Sequence, residues 1–383
     1  MTNQTTQGYL SHVDIRGFRS LQNVSVDLSP LTVLIGANGS GKSNFIKFFA
    51  LIRWLMDGRS LKEWTMREGG ADDQLFMGSR STEKIFGQLA LTMPNSQDKY
   101  QYETVLGVSV NDQLHFAFEY YRYQKQGKAL TDWIQLTPIA DFSALPTTIK
   151  PLKPEATRIY AKGNPAIITT LLKQCSIYQF QDTSKHAAIK KAHDTSDSVY
   201  LNADGGNLAA VLLNLKDNYP KHLKLIERQI SRVLPSFDSF VLEPEYGKVM
   251  LRWRHKHSDK IIGAHLTSDG SLRLFCLITL LNLPKEKLPA IIFLDEPELG
   301  LHPNAITLIA AMIRTVSAHA QIILATQSPF MVDCFELDNI VVADLIEGAT
   351  RLRRLDQTQY QQWLADDFSV ADLWLSNVLG GQP

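Results

Sequence analysis

The chain has 383 residues, 44% hydrophobic and 20% charged, an ordinary globular composition that argues against long intrinsic disorder. That length exceeds the usual single domain, so two lobes, or one large α/β domain carrying an insertion, are expected. Lys+Arg and Asp+Glu balance at 39 each, which excludes a generally basic nucleic-acid binder and leaves only local basic surface.

The opening MTNQTTQGYLSH has neither the basic nor the apolar stretch of a secretory signal. From Gly8 to Leu34, short β-branched segments (YLSHVDIRGF, NVSVDL, LTVLI) are separated by turn residues and read as strands, the third running into a glycine-rich loop. After that loop, Asn44 to Met56 sets Phe45, Phe48, Phe49, Ile52 and Leu55 at helical spacing. IFGQLALTM, YQYETVLGVSV and LHFAFEYYRY follow with turn-rich breaks, so an antiparallel sheet is expected in this half.

Between Asp132 and Phe237, Pro138, Pro146, Pro151, Pro154 and Pro165 precede helical text, and Lys221 to Val233 places Leu223, Ile226, Ile230 and Val233 on one face behind Pro220. A mostly helical insertion is expected here, without the sustained heptads of a long coiled coil. From Phe240, VMLRWRH, AIIFLDE, QIILAT and NIVVAD alternate with helical text such as Ala305 to Ser317, the pattern of a largely parallel sheet. The expected divisions are therefore 1–130, 131–237 and 238–383. The longest apolar run, Leu274 to Leu283, is about half of the roughly 20 residues that a membrane span needs. Cys175, Cys276 and Cys334 stand far apart, so a cytoplasmic protein with neither a zinc site nor a membrane is expected.

Gly36, Ala37, Asn38, Gly39, Ser40, Gly41, Lys42 and Ser43 spell the P-loop pattern G-x-x-x-x-G-K-[ST], and Asn44 continues into the helix. Glycines let the backbone N–H groups turn inward to cradle phosphates, and the helix presents its positive end to them. Lys42 would reach the β- and γ-phosphates of ATP, and the Ser43 hydroxyl would ligate Mg²⁺. An apolar strand before the loop and a helix after it separate this match from an accidental glycine-rich turn. In AIIFLDE, a buried strand ends in two carboxylates: Asp295 to support Mg²⁺, and Glu296 to polarise the attacking water as general base. An acidic cap on a buried strand is common, so this motif gains its weight from the P-loop.

Leu266 to Arg273 reads LTSDGSLR at the start of an apolar helix. A Ser-Asp-Gly there is otherwise only an N-cap. Lying between the P-loop and the Asp-Glu strand, Ser268, Asp269 and Gly270 resemble the signature of ABC ATPases, in the variant found in RecF-like and overcoming-lysogenisation-defect ATPases. Pro297 to Pro303 (PELGLHP) resembles their D-loop, with His302 open between that role and a helix start. Ala325 to Pro329 (ATQSP) stands where these families carry a switch residue, usually histidine. Here it is Gln327, which can hydrogen-bond a γ-phosphate or water but carries no proton charge. DIRGFRSL resembles the first strand of RecF and SMC heads, which implies Arg19 near the nucleotide, with a surface arginine in a hairpin as the alternative. Gln74, in Asp72-Asp73-Gln74, is the positional candidate for the Q-loop residue that senses Mg²⁺.

The resemblance covers residues 10 to 90 and 240 to 383 in outline. It implies an α/β fold: an ABC-type P-loop ATPase head, with a mixed sheet, an antiparallel β lobe and the helical insertion. It also implies a homodimer in which ATP is sandwiched head-to-tail between Lys42 of one copy and Ser268 of another, making hydrolysis a conformational switch. More than two hundred residues separate Ser43 from Ser268, far more than the resemblance allows for a transporter subunit.

Overcoming-lysogenisation-defect nucleases append a Toprim domain, whereas about 55 residues follow Gln327, short of the roughly 100-residue domain scale. VADLWLSNVLGGQP resembles the terminus of small stand-alone members, so a complete chain serving a separate effector, a nuclease or toxin, is expected. The role expected is anti-phage defence or DNA maintenance; the alternative is a RecF-like repair ATPase acting directly on DNA. For DNA contact, Arg252, Arg254, His255, Lys256, His257 and Lys260 surround Trp253 as the densest basic cluster. Against phosphate binding stands a solvated hairpin with Val249, Leu251 and Trp253 inward and the arginines outward.

Overall fold

The computed structural model describes residues 8–136, 138, 141–146, 165–366 and 368–382. The chain forms two compact units: Met1–Ser176, Ala290–Phe293 and Ser317–Pro383 make the first, Ile177–Pro289 and Leu294–Val316 the second.

Strands β1 (Tyr9–Phe18) and β2 (Leu21–Asp27) form an antiparallel hairpin with Val13 paired to Val26 and Ile15 to Val24. Val13 and Ile15 are fully buried while Arg16 is exposed, the period-two burial of a half-covered strand. β3 (Leu31–Ile35) is buried at every position, and α1 (Lys42–Met56) buries the Phe45, Phe48, Phe49, Ile52 and Leu55 face that its spacing foretold. Ser60 caps α2 (Leu61–Arg67), its hydroxyl accepting from the N–H groups of Lys62 and Glu63. β4 (Lys84–Thr92), β5 (Lys99–Val108), β6 (Leu114–Gln124) and β7 (Ile134–Leu136) complete an antiparallel sheet in the order β2-β1-β4-β5-β6-β7. α3 (Ala166–Lys173) and β8 (Cys175–Tyr178) then lead into the second unit.

That unit carries β9 (His193–Asp194), α4 (Leu208–Asn218), α5 (Pro220–Val233), β10 (Phe237–Phe240), β11 (Lys248–Val249), β12 (Arg252–His255), β13 (Ile261–Gly263) and α6 (Asp269–Leu281). Residues 131–237, read from sequence as one insertion, are thus divided between the units, with helices and short strands both present among the described residues. The chain continues through β14 (Ile291–Asp295) and α7 (Pro303–Val316) to β15 (Gln321–Thr326), α8 (Pro329–Val332), β16 (Ile340–Ile346), β17 (Ala349–Arg354), α9 (Gln361–Ala365) and α10 (Val370–Leu375).

The second large sheet runs β17-β16-β3-β15-β14-β8. β15 and β16 flank β3 in parallel, and β17 returns antiparallel to β16, so the sheet is mixed. Within the first unit Phe49 packs on Phe293 with ring centres 4.5 Å apart. Gln321, fully buried, accepts the Leu10 N–H (2.9 Å) and donates to the carbonyls of Leu10 (2.8 Å) and Ser29 (3.0 Å). All of that amide's polar atoms are satisfied, as burial demands, and they tie β15 to the β1 hairpin. Among the described residues no helix is long and apolar enough to cross a membrane.

Candidate functional site

β3 delivers the P-loop. Ile35 is paired with Thr326 on one side and Val342 on the other, so Gly36 and Gln327 leave neighbouring parallel strands at the same level. This is the carboxyl edge, where open α/β sheets bind ligands. α1 starts at Lys42 with no side-chain cap on its N-terminus, and Asn38, Gly39 and Ser43 are exposed. The loop at Asn38 and Gly39 and the helix start at Ser43 are therefore open to solvent, where backbone N–H groups can donate to a triphosphate and a hydroxyl oxygen can ligate a hard cation. The buried Lys42 ammonium donates to the carbonyls of Gly36 (2.7 Å) and Ala37 (2.8 Å), folding over the loop it belongs to.

The turn after β1 braces this loop. Ser20 Oγ accepts from Asn44 Nδ2 (2.8 Å) and shares a hydrogen bond with Thr350 Oγ1 (2.7 Å), while the Thr350 hydroxyl donates to the Ser40 carbonyl (2.9 Å). Arg19, next to Ser20, is thereby set beside the P-loop helix. Its backbone is left-handed (φ +49°), an unusual conformation for a residue with a side chain. Its guanidinium donates to Gln74 Oε1 (3.2 Å) and Glu68 Oε2 (3.1 Å). Gln74 is fully buried and its amide also donates to the Glu68 carbonyl (2.7 Å). Its carboxamide is engaged at both ends, the oxygen by Arg19 and the nitrogen by the Glu68 carbonyl.

In the second unit, Ser268 caps α6, accepting from Ser271 N–H (3.2 Å), and both Ser268 and Asp269 are exposed. A Cβ at Gly270 would lie 2.5 Å from the Gly300 carbonyl, so only glycine lets the signature turn approach the D-loop this closely. Arg273 fixes the same block: it donates to the carbonyls of Phe180 (3.1 Å), Gln181 (3.1 Å) and Leu299 (3.0 Å). Asp295 is buried at the end of β14, and Glu296 follows it at φ +48°. Left-handed backbone at a non-glycine residue costs about 1–3 kcal/mol and persists where the surroundings over-determine it. His302 stands just before α7, accepting from Asn304 N–H at Nδ1 (3.3 Å), which favours the helix-start reading.

One residue escaped the sequence reading. Gln179 directly follows β8 and donates from Nε2 to Asp295 Oδ2 at 2.8 Å. It stands in the same unit as Asp295 and Glu296. The signal available was the short apolar strand CSIY ending in Gln-Phe-Gln. Cys175 and Cys276 offer no competing chemistry: burial pushes the Cys175 thiol up to about 12 and raises Cys276 as well, so neither is a thiolate at neutral pH. The basic cluster lies on a hairpin, with Val249, Leu251 and Trp253 buried and Arg254, Lys256, His257 and Lys260 exposed.

The sequence pattern of a family described as "AAA domain, putative AbiEii toxin, Type IV TA system" matches residues 31–333, from the P-loop strand past Gln327. The chain belongs to this family. The Old nuclease of Escherichia phage P2 is 24% identical over 364 residues, covering 87% of this chain and 58% of that protein. The chromosome partition protein Smc of Bacillus subtilis (strain 168) is 34% identical over 90 residues, 23% of this chain and 7% of that protein. The chain thus spans less than two thirds of the length of these curated relatives.

A crystal structure of the Smc head bound to the C-winged helix domain of ScpA shares the fold, with a TM-score of 0.59 and 16% identity over 92% of this chain and 99% of that one. The Smc head from Pyrococcus furiosus, with an extended coiled coil, gives 0.55 and 15% over 94% and 99%. This AAA-domain family member is therefore an ATPase similar to the RecF, SMC and overcoming-lysogenisation-defect group, with the mixed α/β architecture of SMC heads.

Arg273 gives the first test of the site. Arg273→Lys leaves a charge but cannot reach three carbonyls with one planar fork. ATP turnover by the variant is expected to fall roughly 10- to 100-fold through misplacement of the signature block. ATP affinity should be unchanged, which equilibrium binding alongside phosphate release would check.

Proposed function

We propose that two copies of this chain close head-to-tail on two ATP molecules and reopen on hydrolysis, giving a conformational switch. The observation carrying this reading is the Ser268-Asp269-Gly270 turn, exposed at Ser268 and Asp269, at the N-terminus of a 13-residue helix, whose positive end favours an anion. In it, Lys42 and the loop amides of Gly36 to Asn44 hold the triphosphate, while Ser268 of a second copy completes the γ-phosphate shell. Mg²⁺ supplies charge neutralisation when bound; Ser43 and Asp295 offer it oxygen ligands, and Gln179 orients the Asp295 carboxylate. Glu296 takes the proton of the attacking water, Gln327 hydrogen-bonds that water or the γ-phosphate, and Arg19 steadies the nucleotide.

The switch serves anti-phage defence or DNA maintenance and drives a separate effector, a nuclease or toxin. Support comes from the toxin–antitoxin wording of the family and from the phage nuclease among the relatives. The exposed Arg254, Lys256 and Lys260 of the hairpin favour a second reading, direct action on DNA. Titrating double-stranded DNA into an ATPase assay separates the two. No change in rate, with a nuclease or toxin co-purifying with the ATP-bound protein, is expected; stimulation that is lost in Arg254→Glu would overturn the effector reading in favour of DNA engagement.

A further inference from the structure

The segment from Leu379 to Gln382 folds back onto the P-loop. Gly381 donates its N–H to Asp344 Oδ1 on β16 (2.6 Å), and its carbonyl accepts the N–H of Ala37, the second P-loop residue (2.7 Å). The fully buried Leu379 gives its carbonyl to Arg353 on β17 (2.6 Å), and the Gln382 amide donates to the Trp374 carbonyl (3.3 Å). Gly381 has φ +79°, and a Cβ there would lie 2.8 Å from Val342 Cγ1 and 3.4 Å from Gly36 Cα. Only glycine brings a second backbone this close to the loop. Two charged side chains on adjacent strands thus grip a short segment that gives its Gly381 carbonyl to the loop's entry.

We propose that Leu379–Gln382 is a strap that pre-sets the P-loop for its triphosphate, with Asp344 as the positioning residue; the inference rests on the ATP reading of that loop. A glycine-rich loop loses conformational freedom when it closes on phosphate, and a strap that orders it beforehand removes part of that cost. Releasing the strap lowers the fraction of molecules with a competent loop and weakens apparent affinity in proportion. Bound ATP restores the same loop geometry, so turnover at saturation is kept.

The test compares Asp344→Ala and Gly381→Val with Asp344→Asn, which retains an oxygen acceptor for the Gly381 N–H. Two measurements are made on the full chain: amide hydrogen exchange across Gly36–Ser40 without nucleotide, and steady-state ATP hydrolysis. In Asp344→Ala and Gly381→Val, exchange at Ala37 is expected to accelerate and KM for ATP to rise roughly 3- to 10-fold, the scale of one lost hydrogen bond. In both variants kcat stays within about 2-fold of wild type, and Asp344→Asn restores both readouts. Unchanged exchange in both strap variants, a fall in kcat at constant KM, or an Asp344→Asn as impaired as Asp344→Ala would each overturn the strap. If the wild-type chain itself binds no ATP, the nucleotide reading fails and the exchange measurement alone decides the strap.

Discussion

Glu296→Gln is expected to bind ATP yet stop hydrolysing it, with kcat reduced on the order of 10³-fold, the scale of a lost general base. Glutamine keeps the length and shape of the side chain and tolerates the φ +48° backbone no worse than glutamate, so folding is preserved. What disappears is the capacity to take a proton from water. With reopening blocked, the ATP-bound pair should accumulate and elute as a dimer on size-exclusion chromatography in ATP and Mg²⁺. A variant that stays monomeric under these conditions refutes the sandwich, and one that still releases phosphate removes Glu296 from its role.

Mixing two dead variants should restore activity. Lys42→Ala removes the charge proposed to reach the triphosphate, and Ser268→Arg fills the exposed turn proposed to meet a second copy's nucleotide. Loss of the Ser268 cap costs about 1 kcal/mol, too little to unfold the chain. Each variant alone is expected to be inactive. In an equal mixture, half of the pairs are hybrids, and each hybrid has one site whose Lys42 and Ser268 are both intact. Activity should therefore recover to about one quarter of the wild-type rate. A mixture as silent as its components would show that both residues serve a site within one chain.

The parts of this site that were legible in the sequence are those whose signal is local. The P-loop is a strand, a glycine-rich turn and a helix in immediate succession, and the structure places β3 and α1 where the alternating and helical spacings put them. AIIFLDE is likewise a continuous run, and β14 occupies Ile291–Asp295 of it. Gln179 was not legible because its meaning depends on sheet order. A four-residue strand has too little periodicity to stand out, and only the pairing of β8 beside β14 brings the residue after one strand to the last residue of the other. Gln74 follows α1 in the chain, and its hydrogen bonds to Arg19, 55 residues away, have no local signal. The prolines before Ala166, of which Pro151 and Pro154 lie outside the described residues, hold no information on which unit the following helices join.

The left-handed backbone at Glu296 sets stability against work at one position. Glycine there would relax the turn by on the order of 1 kcal/mol and would also remove the carboxylate. A selection for heat tolerance that does not monitor phosphate release would therefore enrich chains that endure but are silent, and a sturdier version of this protein is no assurance of a working one.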